Sequence, residues 1–351
     1  MVYDMKKRDI GIDCLKGFAT LLVVLGHIID GYKNAGEFPD KMGLMSAGYK
    51  IIYAFHMPLF FMISGYVFQM AYFKDGKAKP GLKYQKLNIV VLFFEFGILF
   101  GLFKVLCGRF TNADVTLLDV ALIWLKPISP YWYLYLLFFY YIIFSSSLFQ
   151  AKRSSAVIGA VCLILSLLSS FIPSQIGAYF EIKHFLYHLT FFWFGIMLQR
   201  GEFNKFKSLS VGIAGAVIAV VLMIALRNKA SSYQYIPGAN IIIAYGISLF
   251  LYDIFHTFFN KEAALRTNAL SFIGRYSLEI YVLHCIFTAG NRGILPKMHI
   301  HGFWLSIVCN MVISTAVPII IALVCKKLNI HKQIFQPVKY LKEKKQISTG
   351  D

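Results

Sequence analysis

The chain is poor in charged residues. Only 15% of its 351 residues are charged and 58% are hydrophobic, whereas a soluble globular chain carries about 25% charged residues. This scarcity argues against an ordinary soluble domain, because long stretches lack the polar residues that would face water. We predict an all-α fold, a polytopic membrane helix bundle.

Acidic residues are the scarcer of the two charged classes. The chain has 17 Asp and Glu against 35 Lys and Arg, a formal net charge of +18. In a soluble protein such a surplus would suggest nucleic acid as a partner. In a membrane protein, basic residues gather in cytoplasmic loops beside anionic lipid. We therefore expect the lipid bilayer as a partner, and no nucleic acid.

Metal-binding and disulfide patterns are missing as well. The six cysteines are scattered and form no CxxC pair, so neither a disulfide framework nor a zinc site is indicated. His184 and His188 have helical i, i+4 spacing but no acidic or cysteine partner beside them, and we expect no metal. No A-x-A-like cleavage site follows the basic residues at positions 6–8, so the first apolar run is expected to be retained as a helix.

Long apolar runs dominate what is present. Ten runs approach the roughly 20 residues that a helix needs to cross a bilayer. They cover residues 14–32, 51–73, 87–106, 131–150, 155–172, 184–199, 209–226, 239–259, 276–290 and 303–325. The short segment "LLDVALIWLKPIS" before Tyr131 is compatible with an interfacial or re-entrant position. We predict about ten transmembrane helices.

The distribution of basic residues predicts the orientation. Ten crossings put both termini on one side, and the loops on that side hold 24 of the 35 Lys and Arg. By the positive-inside rule, both termini are predicted to be cytoplasmic. No repeat of 20 to 50 residues is visible. The chain is expected to comprise one membrane domain, 1–325, and a basic cytoplasmic tail, 326–351, in a multi-pass protein of the cell (inner or plasma) membrane.

Two ionisable residues share the first apolar run. Lys16 and His27 are eleven residues apart, which in a helix places them on one face roughly 16 Å from each other. Lys16 is expected near the cytoplasmic surface and His27 in the outer half of the membrane. Ionisable groups at this depth are functional candidates because each is costly in lipid. The plainer interpretation is that Lys16 and Arg8 are cytoplasmic anchors that snorkel.

The other membrane histidines fall at a depth similar to that of His27. The predicted helix directions place all of them in the outer half, together with aromatic residues at the start of the fourth run. The set is His27, His56, His184, His188 and His284, with Trp132 and Tyr133. We predict a polar cavity there, although the aromatic residues alone are also typical of an interfacial belt.

Several stretches together resemble the integral membrane acyltransferases of acyltransferase family 3, in the branch that includes sugar O-acetylases. They are "RDIGIDCLKGFATLLVVLGH", "FHMPLFFMISGYVF", "YWYLYLLF", and the pair "FFWFGIMLQRGEF" and "GRYSLEIYVLHCIF". They follow one another in the expected order between residues 8 and 289. Lys16 stands where the commonest form of the family has arginine. Glu95, His184 and His188 have no assigned role.

The resemblance implies transfer of an acyl group, usually acetyl, from cytoplasmic acyl-CoA to a hydroxyl of an envelope glycan or a lipid-linked saccharide. Acyl-CoA (acetyl-CoA) would be a co-substrate rather than a permanently bound cofactor. His27 is the expected general base, because the unperturbed pKa of histidine lies near working pH. An acyl-His27 intermediate is the mechanistic alternative.

The remaining expected site residues divide into three groups. Oxyanion donors are sought among His56, Ser64, Trp132 and Tyr133. The acyl-CoA phosphates are expected at Lys16 with Arg8, where Asp13 would orient the lysine. The acceptor side is expected at Trp132, Tyr133, Ser277 and His284.

Two other functional classes compete with this interpretation. A proton-coupled transporter would use the histidines as a relay, but the chain has neither matching halves nor paired broken helices. A structural membrane scaffold would not require so many polar residues within apolar runs.

Overall fold

The computed structural model describes residues 9–74, 77–108, 115–150, 155–203, 208–229, 232–233, 236–259 and 268–349. Its helices are α1 (Ile10–Asn34), α2 (Met42–Tyr72), α3 (Gly81–Leu106), α4 (Leu117–Ala121), α5 (Trp132–Ile143), α6 (Ser147–Gln150), α7 (Ser155–Leu168), α8 (Ser174–Gly177), α9 (Ile182–Arg200), α10 (Leu209–Ala225), α11 (Ala239–Phe259), α12 (Ala269–Arg275), α13 (Ser277–Ile294), α14 (Phe303–Lys327), α15 (His331–Phe335) and α16 (Pro337–Thr349). Two short antiparallel strands, β1 (Phe73–Lys74) and β2 (Lys77–Ala78), follow α2.

The expectation of an all-α membrane bundle is confirmed in its coarse form. Within the described part of the chain, five helices, α1, α2, α3, α11 and α14, are long and apolar enough to cross a bilayer, and α5, α7 and α10 are shorter apolar helices. Large apolar side chains are exposed along α10 and α14, for example Val217, Val221, Val308 and Val312. Such faces are suited to lipid rather than to water. Ten crossings and cytoplasmic termini stay predictions.

Some of the expected helices have different bounds. The run 131–150 is not one helix, because α5 ends at Ile143 and α6 begins only at Ser147. The Ser145 hydroxyl donates to the carbonyl of Ile142, which is a local alternative to continuing the helix. The run 276–290 extends to Ile294. The segment before Tyr131 contains only the one-turn helix α4, which Thr116 and Asp119 cap reciprocally.

Helix α1 is continuous through both Lys16 and His27. It begins at an N-cap, Asp9, whose carboxylate accepts a hydrogen bond from the amide of Ile12, and such a cap satisfies an otherwise unpaired donor. The other oxygen of Asp9 accepts from the hydroxyl of Tyr66 on α2 at 3.0 Å. The start of α1 is therefore tied to the neighbouring helix.

Helices α2 and α9 approach closely at two glycines. A Cβ atom on Gly65 would lie 2.0 Å from the carbonyl oxygen of Phe192, and one on Gly195 would lie 1.9 Å from that of Met62. Only glycine permits this approach. The contact brings the histidine of α2 and the two histidines of α9 to one region of the bundle.

The segment after α14 packs against the bundle. Phe335 is buried and stacks on Phe96 of α3, with ring centroids 5.8 Å apart. The amide of Asn88 donates to the carbonyl of Phe335 at 3.2 Å. His331 and Glu279, both buried, are paired at 2.8 Å. Part of the basic tail thus belongs to the packed structure.

Candidate active site

A cavity of about 290 Å³ lies among α1, α2, α5, α9 and α13. Four of its lining residues are histidines from three different helices. The residues that define this histidine cavity are His27, His56, Trp132, His184, His188 and Tyr281. The structure thus brings together four of the five histidines that the sequence places at one depth. The fifth, His284, packs against His27 with ring centroids 5.1 Å apart.

Three of the histidines have a defined tautomer. The Nδ1 atom of His56 lies 2.8 Å from the carbonyl oxygen of Ile52, and that of His188 lies 2.8 Å from the carbonyl of His184. The Nδ1 atom of His284 lies 2.7 Å from the carbonyl of Tyr281. Because a carbonyl only accepts, Nδ1 carries the proton in each ring, and Nε2 keeps its lone pair when the ring is neutral. These rings can therefore accept a proton or a hydrogen bond at Nε2.

Trp132 and His184 form an aromatic part of the lining of the histidine cavity. Trp132 stacks on His184 with ring centroids 4.8 Å apart. The Nδ1 atom of His184 is 2.6 Å from a carboxylate oxygen of Glu181, which orients the imidazole. The indole thus offers an apolar surface beside polar groups, a combination found in sites for small polar molecules.

A second, smaller cavity of about 130 Å³ holds the lysine of α1. The residues that define this lysine cavity are Lys16, Ser64, Gln85, Tyr133, Ser277 and Tyr281. Lys16 is partly exposed and its ammonium group lies 3.9 Å from the carboxylate of Asp13. The expected orientation of Lys16 by Asp13 is thus compatible with the structure. Arg8 lies outside the described residues.

Ser64 and Tyr133 form a hydrogen-bonded pair in the lysine cavity. Their hydroxyl oxygens are 2.6 Å apart, and the Ser64 hydroxyl also donates to the carbonyl of Phe60 at 2.7 Å. Because the single proton of Ser64 is used on Phe60, the Tyr133 hydroxyl is the donor between the two. The single proton of Tyr133 is thus engaged by Ser64, and it reaches an oxyanion only when the Tyr133 hydroxyl turns away from Ser64.

Tyr281 separates the two cavities, since it lines both. Its ring packs edge-on against Tyr133, with centroids 5.2 Å apart. Its hydroxyl donates to the carbonyl of Pro130 at 2.5 Å, which fixes the side chain against the segment before α5. A molecule in the lysine cavity and another in the histidine cavity would therefore approach each other at Tyr281.

The structure groups some predicted residues differently from the sequence. Ser64, expected as an oxyanion donor, and Ser277, expected on the acceptor side with His284, both lie in the lysine cavity. Trp132 and Tyr133 are adjacent in α5 but line different cavities. The reason is the rotation of about 100° between neighbouring helical residues, which points the side chains of Trp132 and Tyr133 into different cavities on either side of Tyr281.

Three residues of the site were not singled out from the sequence. Tyr281 carried a signal, because it lies three residues before His284 and four after Ser277, on the same face of a helix. Asp30 carried one too, three residues after His27, and it lines the histidine cavity. Glu181 has a left-handed backbone, with φ of 53°, and stands three residues before His184, a spacing that could have signalled their contact. The expectation that His184 has no acidic partner beside it was therefore wrong.

One cluster has the side chains of a metal site. Among the described residues, ligand atoms of His27, His284 and Cys285 lie within 4.8 Å of one another. The pair His184 and His188, with ring centroids 6.0 Å apart, belongs to no such cluster of three in the described part of the chain.

Known proteins resemble the chain over different lengths. A segment of 62 residues is 47% identical to the nodulation protein NolL of Sinorhizobium fredii (strain NBRC 101917 / NGR234), covering 17% of this chain and 16% of that protein. A segment of 134 residues is 29% identical to the nodulation protein NolL of Mesorhizobium japonicum (strain LMG 29417 / CECT 9101 / MAFF 303099), covering 37% and 34%. The matches thus span about a third or less of these relatives. No solved structure matches significantly.

The family model covers far more of the chain than the individual relatives do. The model of acyltransferase family 3, described as an acyltransferase domain, matches residues 9–323. This range contains α1 to α13, most of α14 and every residue of both cavities. The chain belongs to acyltransferase family 3, the family whose motifs its sequence resembles.

Proposed function

We propose that the protein is a membrane O-acyltransferase that transfers an acyl group from cytoplasmic acyl-CoA to a hydroxyl of an envelope glycan or lipid-linked saccharide on the other side of the membrane. The observation that carries the proposal is the pair of cavities that share Tyr281 in their lining. The lysine cavity contains the ammonium group of Lys16, and the histidine cavity contains four imidazoles. A donor and an acceptor could thus approach one point from opposite sides.

The lysine cavity is the proposed donor side. Lys16 would hold a phosphate of the coenzyme as a point charge, with Asp13 keeping its ammonium group in place. The extended pantetheine arm would then run along α1. About eleven residues of helix, roughly 16 Å, separate Lys16 from His27.

The histidine cavity is the proposed acceptor side. A lone-pair nitrogen of His27 would take the proton of the acceptor hydroxyl while the hydroxyl oxygen attacks the thioester carbon. The carbon–sulfur bond then breaks, and coenzyme A leaves as a thiol with the proton that His27 returns. The oxygen of the tetrahedral state needs hydrogen-bond donors. In the histidine cavity the proposed source is the indole N–H of Trp132, because neutral His56 has its only N–H proton on the carbonyl of Ile52. In the lysine cavity it is the hydroxyl of Tyr133, once that group turns from Ser64 to the oxyanion.

The test is the loss of acyl transfer in a His27→Ala variant. We expect its expression, membrane insertion and acyl-CoA binding to match the parent, while glycan acylation falls by about 10² to 10⁴, the usual contribution of a general base. Mass spectrometry of envelope glycans from cells with parent or variant protein measures this. His301→Ala is the matched control, because His301 is exposed in the segment between α13 and α14 and should leave acylation unchanged. Acylation by His27→Ala within a few-fold of the parent would remove His27 as base and as nucleophile.

A further inference from the structure

His27, His284 and Cys285 stand together where α1 meets α13. Their ligand atoms lie within 4.8 Å of one another, and both His284 and Cys285 are buried. From this geometry we infer that the three side chains form a reversible site for a borderline-soft divalent cation of the Zn²⁺ class, and that the bound cation blocks acyl transfer. The inference that the cation binds depends only on the geometry of the cluster. The inference that it inhibits acyl transfer also rests on the function proposed above for His27.

Two of the three ligands are already placed for a metal. The Nε2 atom of His284 lies 3.3 Å from the Sγ atom of Cys285. Tetrahedral Zn²⁺, with bonds of about 2.0 to 2.3 Å, sets its ligand atoms roughly 3.3 to 3.8 Å apart. The Nδ1 proton of His284 is donated to the carbonyls of Tyr281 and Ile280, at 2.7 and 3.1 Å. This is the arrangement that normally orients a metal-binding histidine, because it leaves the Nε2 lone pair directed at the ion.

His27 would supply the third ligand from the neighbouring helix. The separation of 4.8 Å within the cluster exceeds the tetrahedral spacing by about 1 Å, a distance that rotation of the His27 side chain can cover. His27 lines the histidine cavity, so the fourth position of the ion would be open to that cavity. A site with three protein ligands and one open position is a known zinc arrangement, and histidine and cysteine are among the residues that supply its ligands.

The chemistry of the ligands selects the cation. Two imidazole nitrogens and a thiolate suit Zn²⁺ and its analogues Co²⁺ and Cd²⁺, whereas Mg²⁺ and Ca²⁺ prefer oxygen. On binding, the Cys285 thiol releases its proton to solvent and both imidazoles use their lone pairs, with no change of oxidation state. Asp30 and Lys104 both interact electrostatically with Cys285 and carry opposite charges, so their effects on the cation oppose each other.

Binding would remove the proposed base. A lone pair of His27 that is bound to the ion cannot accept the proton of a hydroxyl. The ion would also stand at the edge of the histidine cavity, beside the proposed acceptor. Removal of the cation by a chelator restores the free imidazole, so the block is reversible.

Binding is tested without any activity measurement. Purified parent protein in lipid nanodiscs is incubated with zinc chloride and desalted, and bound metal is counted by mass spectrometry. Cobalt chloride is the second probe, because a thiolate ligand gives Co²⁺ a charge-transfer absorption band. We expect one Zn²⁺ per parent chain and a thiolate band with Co²⁺. A parent chain that retains no zinc, or that binds cobalt without this band, overturns the site.

Variants assign the site to the cluster. Cys285→Ser should lower zinc affinity by about 100-fold or more, since even loss of an outer partner of a metal ligand costs 10- to 100-fold. Cys309→Ala is the matched control, because Cys309 is a partly exposed cysteine on α14, and it should bind as the parent does. Each variant is first shown to elute as the parent does in gel filtration. Equal zinc binding by Cys285→Ser and the parent overturns the assignment.

Inhibition is tested separately. Zinc chloride should stop glycan acylation by the parent and a chelator should restore it, while Cys285→Ser should keep its basal activity and need at least about 100-fold more zinc. If the parent protein binds zinc, gives the thiolate band with cobalt and still acylates glycan at its full rate in zinc, the proposed inhibition is wrong while the metal site is confirmed. A parent that acylates no glycan without zinc refutes the proposed function, and the cobalt band still decides the site.

Discussion

Replacing Gly195 by alanine is expected to force α9 away from α2. The new Cβ atom would lie 1.9 Å from the carbonyl oxygen of Met62 and 2.9 Å from the amide nitrogen of Tyr66. Ordinary contact begins at 3.4 Å, so the first distance falls about 1.5 Å short. Both neighbours are backbone atoms, which cannot rotate out of the way. The helices themselves have to separate.

The separation should reduce both stability and activity. Overpacking of a core costs about 1 to 3 kcal/mol, and we expect the upper end here because no side chain can yield. The better helix propensity of alanine offsets about 0.5 to 1 kcal/mol, which leaves about 2 kcal/mol of destabilisation. Ser64 adjoins this contact and His188 lies two turns before it in α9, so both cavities would be distorted. A misplacement of about 1 Å can cost 10² in rate.

The assay compares Gly195→Ala with Gly43→Ala in the same lipid nanodiscs. Gly43 is also within a helix, but a Cβ atom there would meet nothing within 4 Å, so its replacement should be neutral or slightly stabilising. Thermal unfolding and glycan acylation are measured for both. If Gly195→Ala melts at the temperature of Gly43→Ala and is equally active, the close approach of α2 and α9 does not exist in the protein.

Three other predictions concern the donor, the tail and the orientation. Lys16→Ala should weaken acetyl-CoA binding in an equilibrium binding assay, because the proposed phosphate partner is lost, while Lys16→Arg should bind as the parent does. Equal binding by all three proteins would favour the interpretation of Lys16 as a snorkelling anchor. Phe335→Ala should destabilise the protein by about 3 to 5 kcal/mol, since it empties a buried aromatic position. Phe258→Ala, at a side chain 59% exposed, should lower the stability far less in thermal unfolding, and similar losses of stability in both variants would contradict docking of the tail. Reporter fusions after Lys345 should report a cytoplasmic location and those near Lys41 the opposite side; a Lys345 fusion on the outer side would reverse the predicted depth of every site residue.

The sequence predicted well what depends on position along one helix. Lys16 and His27 could be placed on a common helix because the apolar run between them is unbroken, and α1 spans both. The gathering of the histidines could be anticipated because depth in a membrane follows from counting residues along each run. Family motifs then indicated the chemistry before any contact was known.

The sequence could not predict how the helices are rotated against one another. The hydrogen bond between Ser64 and Tyr133 joins residues 69 positions apart, and such a contact depends on packing rather than on composition. The same holds for the position of Ser277, which lines the lysine cavity and not the histidine cavity. The end of α5 is different, because the serines at positions 145–147 are residues that favour turns and were a readable signal.

The docking of Phe335 against Phe96 and of His331 against Glu279 has a consequence for the order of events during synthesis. A chain folds from its N-terminal part first as the ribosome extends it, so α3 and α13 are made well before their partner at residues 331–335. The contacts around Phe96 and Asn88 can therefore form only after residues 331–335 have been made. Until then the apolar ring of Phe96 and the carboxylate of Glu279 lack the neighbours that bury them. A nascent chain stalled before residue 331 would leave this surface of α3 and α13 exposed.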